Sequence, residues 1–189
     1  MVAPFNLRSK LNTLINREMR HAKAGKKAEI FLKLNNLVDE EVIEKLYAAS
    51  KAGVKIRMIV RGICSLVPGM TGYSENIEAI SIVDKFLEHT RIFVFHNDGK
   101  PELFIGSADL MTRNLDHRIE VVLPILDDKI KKQLLQIMEL QWKDNVKARV
   151  FNETQSNVFK QKAGGERTLR SQDAIYDFWK ELSTGKKKK

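Results

Sequence analysis

The 189-residue chain predicts an α/β domain, and three stretches predict it. Residues 28–60 read as a strand, an amphipathic helix and a second strand. Residues 89–105 read as a hairpin with a polar turn, and residues 127–144 carry a broad apolar stripe at helical spacing. A strand–helix–strand unit implies parallel neighbours in a covered sheet, joined by a right-handed crossover.

The elements follow in order. Leu7, Leu11, Leu14, Ile15 and Met19 recur at helical spacing, and Pro4 suits a first turn, so a helix is expected from Phe5 to Ala24. Ala28 to Leu34 (AEIFLKL) has the apolar content and length of a strand, broken by Asn35-Asn36. Asp39 to Ala52 is an amphipathic helix closed by Gly53, and Val54 to Val60 is the next strand. Residues 62–78 hold three glycines and a proline, the composition of a mobile loop able to cover a substrate. Ala79 to Glu88 mixes two periods and is read as a short strand running into one helical turn. Asp127-Asp128 opens the clearest helix, Asp127 to Asp144, with Trp142 as a core anchor near its end. A last helix, Asp173 to Leu182, would dock Ile175, Phe178 and Trp179 inward.

The stretch His89 to Glu120 concentrates the chemistry. His89, Arg91 and Phe93 fall two apart, so on a strand they share one face. Asn97-Asp98-Gly99 favours the positive φ of tight turns, and the return strand Glu102 to Ile105 empties into Gly106-Ser107-Ala108-Asp109. Glycine lets a ligand approach the backbone, and Ser107 can donate a hydrogen bond. Arg113, Asn114, Asp116, His117 and Arg118 then precede a second apolar strand, Ile119 to Ile125. This density of cationic and polar groups suits a phosphate cradle. Arg61 stands where the second parallel strand ends, the edge at which open α/β sheets bind ligands. A guanidinium there can grip a phosphate bidentately or cap the strand in an ion pair; position alone leaves both open.

Composition excludes some classes. A hydrophobic content of 43% with 30% charged residues reads as globular. The single cysteine, Cys64, leaves no internal disulfide framework and fits a reducing compartment. No apolar run approaches the ~18 residues of a membrane span, and no signal-peptide core is expected at the N-terminus. The net charge of +9 is mostly terminal: residues 1–27 carry +6 and Lys186 to Lys189 another +4. Residues 147–170, with Lys147, Arg149, Lys160, Lys162, Arg167 and Arg170, form a second basic segment with a local +4.

Several long blocks carry a resemblance. LKLNNLVDEEVIEKLYAASKAGVKIRMIVRGICSL, SIVDKFLEHTRIFVF, GSADLMTRNLDHRIEVVLPI and VKARV, in that order, are similar to the C-terminal part of the bacterial polyphosphate kinases, over about Asn6 to Leu182. The core of that family is a pair of phospholipase-D-like domains, and this chain resembles the second. The resemblance implies a mixed β-sheet flanked by helices on both faces. It implies one domain over residues 1–182 and a disordered basic tail over 183–189. It also implies reversible transfer of the terminal phosphate of ATP to inorganic polyphosphate through a phosphohistidine, with Mg2+ whose ligands lie outside this chain. Arg61 in VRG matches an arginine on the ATP phosphates, His89 in LEH a catalytic histidine near the transferred phosphate, and Glu120 in RIE a site-lining acid. Arg91, Ser107, Arg113, Arg118 and Arg170 are candidate polyphosphate contacts. The phosphorylated histidine and the nucleotide-ring contacts belong to the preceding domain, so the chain is expected to be a fragment without turnover of its own. Implied partners are ATP, ADP, polyphosphate, the remaining domains and, at full length, further copies in a homo-oligomer. The implied location is cytoplasmic and peripheral to the inner membrane.

Two other classes stand beside this one. A phospholipase-D-like phosphodiesterase or nuclease acting as a dimer would show H-x-K-x4-D with Gly-Ser-x-Asn downstream. Here Arg91 replaces the lysine, His96 the aspartate and Asp109 the asparagine. A noncatalytic polyanion-binding module rests only on the basic segments, and its binding would be salt-dependent.

Overall fold

A computed structural model describes residues 1–162 and 164–184. Its strands are β1 (Val2–Ala3), β2 (Glu29–Leu34), β3 (Lys55–Val60), β4 (Ile77–Ile82), β5 (Arg91–Phe95), β6 (Glu102–Gly106), β7 (Glu120–Pro124) and β8 (Ala148–Phe151). The helices are α1 (Leu7–Lys23), α2 (Glu40–Lys51), α3 (Asp128–Trp142) and α4 (Ser171–Thr184). The strands form one mixed sheet in the order β1-β7-β6-β5-β2-β3-β4-β8. β2, β3 and β4 run parallel, and every other pairing is antiparallel.

The central strand explains its own sequence. Ile30 to Leu34 are all buried, because β2 is covered on both faces. Ile30, Leu32 and Leu34 pack with Leu7, Leu11 and Ile15 of α1 and with Leu46 of α2. Phe31 faces the other way, toward Ile59, Ile80 and Met138 of α3. Helices therefore lie on both faces of the sheet. Asp39 and Asp127 cap α2 and α3 by accepting from the amides of Val42 and Ile130, at 3.1 and 2.9 Å.

Several expectations need correction. β4 begins at Ile77, inside the stretch read as a mobile loop, and residues 83–90 form no helical turn. Their bonding capacity goes to distant groups instead: the backbone amide of Phe86 donates to Gln172, whose own amide donates to Phe86 and Glu88. The loop 62–78 is anchored at two points. Ser74 is fully buried and donates to the Val67 carbonyl at 2.7 Å, and Lys51 lies over the Tyr73 ring at 4.0 Å. β1 and β8 were not foreseen, the first for its two-residue length and the second because Arg149 and Lys147 masked its alternation. Trp142 does join the core, edge-on to Phe31 at 5.7 Å. Trp179, by contrast, is 44% exposed rather than docked. α4 runs on through Ser183 and Thr184, which the sequence assigned to the tail; Lys186 to Lys189 lie outside the described residues. Among the described residues no helix is long and apolar enough to cross a membrane.

Candidate active site

The parallel strands β2, β3 and β4 all end at one edge of the sheet. β5 starts at that edge and β6 finishes there, since Lys33 pairs with Ile92, and Arg91 with Gly106. The sheet thus gathers residues 33–36, 61–62, 88–91 and 106–109. Two glycines permit the close approach. A Cβ on Gly62 would meet Asn36 Oδ1 at 2.9 Å, and one on Gly106 would meet the Val121 carbonyl at 2.6 Å.

Arg61 is half-buried, and its Nε donates to Asn35 Oδ1 at 2.9 Å. Among the described residues neither terminal nitrogen has a partner. The strand-cap alternative, an ion pair at Arg61, is not what the structure shows. One nitrogen is held and the fork is left open, the arrangement suited to a tetrahedral anion.

His89 is exposed, just ahead of β5. Arg91 Nη1 lies 3.2 Å from its Nδ1 and 3.4 Å from its Nε2, and donates to its carbonyl oxygen at 3.0 Å. The rest of that guanidinium belongs to Asp109, at 3.3 and 3.1 Å. Asp109 also accepts from the amides of Asn35 and Asn36, at 2.8 and 3.2 Å. Burial works to raise the Asp109 pKa, but Arg91 and these two amides outweigh it and hold the carboxyl below its ordinary value.

The other anticipated residues divide. Glu120 is buried, with one carboxylate oxygen on the Ser107 hydroxyl and the other on Asn114 Nδ2. The Ser107 hydroxyl also accepts from the Val121 amide, so the Ser107–Glu120 pair closes on itself. Arg170 grips Asp84 bidentately and is no open anion contact. Arg113 and Arg118 are exposed, with no side-chain partner among the described residues. Much of the N-terminal basic excess is internal: Arg8 pairs with Asp39, Glu41 and Asp116, and Arg17 with Glu102.

The sequence reading passed over Lys33, Asn35 and Glu88. Apart from Glu29 at its start, Lys33 is the charge in an otherwise apolar strand, and that oddity was its only signal. Its ammonium meets Glu88 at 2.6 Å. Burial lowers its pKa, Glu88 opposes that and Arg61 adds to it, leaving the net shift downward.

The edge shows no fit for a metal ion. Among the described residues no group of three His, Cys, Asp or Glu side chains is placed to hold one. The nearby carboxylates of Glu88, Asp109 and Glu120 are each taken up by protein donors.

The fold and this edge define a phospholipase-D-like α/β domain whose sheet edge carries both an open arginine fork and a histidine. The fold likeness extends to Nuc, a phospholipase D family member from Salmonella typhimurium, with a TM-score of 0.56 at 15% identity, over 80% of this chain and 95% of that one. The family described as polyphosphate kinase C-terminal domain 2 matches residues 1–172, and the chain belongs to it. It is 56% identical over 182 residues to a polyphosphate kinase of Vibrio vulnificus, covering 96% of this chain and 26% of that protein. Against the crystal structure of polyphosphate kinase from Porphyromonas gingivalis the TM-score is 0.95 at 44% identity, over 98% of this chain and 28% of that one. The chain spans about a quarter of the length of the curated relatives it matches.

Proposed function

We propose that this chain is the C-terminal catalytic-core domain of a polyphosphate kinase, an ATP:polyphosphate phosphotransferase that moves the terminal phosphate of ATP reversibly onto inorganic polyphosphate. The carrying observation is the open fork of Arg61, held by Asn35 at the sheet edge that also bears His89. Phosphoryl transfer needs in-line positioning and charge stabilisation more than covalent chemistry from every residue. Arg61 supplies a permanent charge to a phosphate. His89 donates a proton or charge to the transferred group. Arg118 and Arg113, both exposed, are the remaining polyphosphate contacts. Glu120 takes part by holding Ser107, not by touching phosphate.

The half-site needs a partner. The phosphorylated histidine and the nucleotide-ring contacts come from a preceding domain, and the complete protein works as a cytoplasmic homo-oligomer peripheral to the inner membrane. Magnesium, where bound, would neutralise nucleotide phosphates, and the protein ligands that would hold it lie outside this chain. Diesterase chemistry is disfavoured because Arg91 and Asp109, at the positions of that pattern's lysine and asparagine, are bonded to each other.

The test is label mapping. The complete protein is exposed briefly to γ-labelled ATP and the phosphopeptides are located. Label outside residues 1–189, with polyphosphate synthesis by the complete protein and none by this chain alone, is the expected result. Label on His89, or turnover by the isolated chain, overturns the half-site reading.

A further inference from the structure

We propose that Asp109 and Arg91 act as one positioning unit that sets His89 against Arg61; the proposal rests on the polyphosphate kinase reading above. The Arg91 side chain is 13% exposed and the Asp109 side chain 6%, so the pair is shielded and its two nitrogen–oxygen contacts are fixed in direction. What remains of Arg91 is Nη1, and its neighbours belong to His89: the carbonyl oxygen at 3.0 Å and both ring nitrogens within 3.4 Å. Each of the three guanidinium nitrogens thus has a protein partner. The role of Arg91 is to hold the histidine, which stands outside regular structure and is otherwise exposed.

The same carboxylate reaches the other half of the edge. Asp109 Oδ1 accepts the Asn35 amide at 2.8 Å, and the Asn35 side chain accepts Arg61 Nε at 2.9 Å. A single buried carboxylate therefore spaces a histidine on one side and an arginine fork on the other. The phosphate would lie between two groups whose separation is set by Asp109, not by the loops that carry them. Rates of phosphoryl transfer respond to such spacing, because a misplacement of about 1 Å can cost about a hundredfold.

The experiment uses the complete enzyme with Arg91→Lys, Asp109→Asn and the double variant. Lysine keeps the charge opposite Asp109 but has no fork to reach both the carboxylate and His89. The expected result is a kcat lowered about ten- to a hundredfold in each single variant, with KM for ATP within about twofold. The double variant should be no worse than the poorer single by more than about twofold, because both break one unit. The second readout is independent of activity: the rate at which diethyl pyrocarbonate modifies His89, measured by peptide mass spectrometry against exposed His117. That ratio should rise severalfold when the clamp is lost. An increase in KM at unchanged kcat would mean that Arg91 grips substrate directly, and multiplicative losses would mean that the two residues act separately; either overturns the proposal, as does an unchanged modification ratio. If Asp109→Asn does not fold, judged by circular dichroism, Arg91→Lys decides alone. If the parent makes no polyphosphate, the function reading fails while the modification ratio still tests the clamp.

Discussion

Lys33 Nζ sits 2.6 Å from Glu88 Oε2, with the lysine side chain 3% exposed and the glutamate 12%. Glu88 also accepts from Gln141 and Gln172, so this one carboxylate ties β2, α3 and α4 to the residue preceding His89. Removing one partner of such a buried pair leaves an uncompensated charge, at a cost of about 3–5 kcal/mol. Glu88→Ala should therefore lower the melting temperature by roughly 10 °C, on the usual scaling for a domain of this size. Lys33→Met combined with Glu88→Gln should recover a good part of it. A loss of less than 2 °C in calorimetry for Glu88→Ala would show the pair to be energetically idle.

Arg61→Ala, made in the complete enzyme, should depress kcat on the order of a hundred- to a thousandfold, equivalent to about 3–4 kcal/mol of lost charge stabilisation. Stability should barely change, because among the described residues Arg61 makes a single side-chain bond, to Asn35. Activity within threefold of the parent would reduce Arg61 to a structural residue.

His89→Gln keeps a donor but cannot ionise. If charge or proton donation at His89 matters, this variant should recover little of the activity lost in His89→Ala, while label from ATP still reaches the histidine of the preceding domain. Near-parent rates for His89→Gln would show that hydrogen bonding alone suffices.

Gly106→Ala places a methyl 2.6 Å from the Val121 carbonyl oxygen and 2.9 Å from Val122 Cα, both backbone atoms that cannot swing aside. Overpacking of this kind costs typically ~1–3 kcal/mol. Gly99→Ala adds no contact within 4 Å but sits at φ +84°, so its penalty is purely conformational. Denaturant titration of both should show the loss at Gly106 accompanied by lower phosphate affinity, and that at Gly99 not.

Acid should destabilise the fold in a defined window. The Arg8 hydrogen bond holds the Asp39 carboxyl below its ordinary value, and Asp109 is held low against its own burial by Arg91 and two amides. A carboxyl whose folded pKa is depressed contributes stability above its unfolded pKa of about 3.9, and loses it as pH falls through the folded value. Stability should be flat from neutrality down to about pH 5 in this respect and fall below pH 4. In Arg8→Met the Asp39 part of that fall should shrink, because its pKa returns toward the unfolded one. Urea midpoints measured from pH 3 to 7 would show it.

The chain by itself determined the longer elements and their order along the sequence. Apolar runs of strand length marked β2 and β3, alternation marked β5, and period 3.6 with Asp39 and Asp127 at the helix starts marked α2 and α3, because these signals arise within a few residues of one another. Chain order also placed Arg61 and His89 at strand ends. What the tertiary structure alone decided is which charges are free. Lys33 and Glu88 are 55 positions apart, Arg91 and Asp109 are 18 apart, and Arg170 and Asp84 are 86 apart. No local pattern reports such pairings, so Arg91 and Arg170 looked like open phosphate contacts in sequence. Arg61, whose character sequence left open, kept its fork unpaired. The physical reason is that a buried charge must find a partner wherever the fold brings one, and the sheet brings together strand ends that the chain holds far apart.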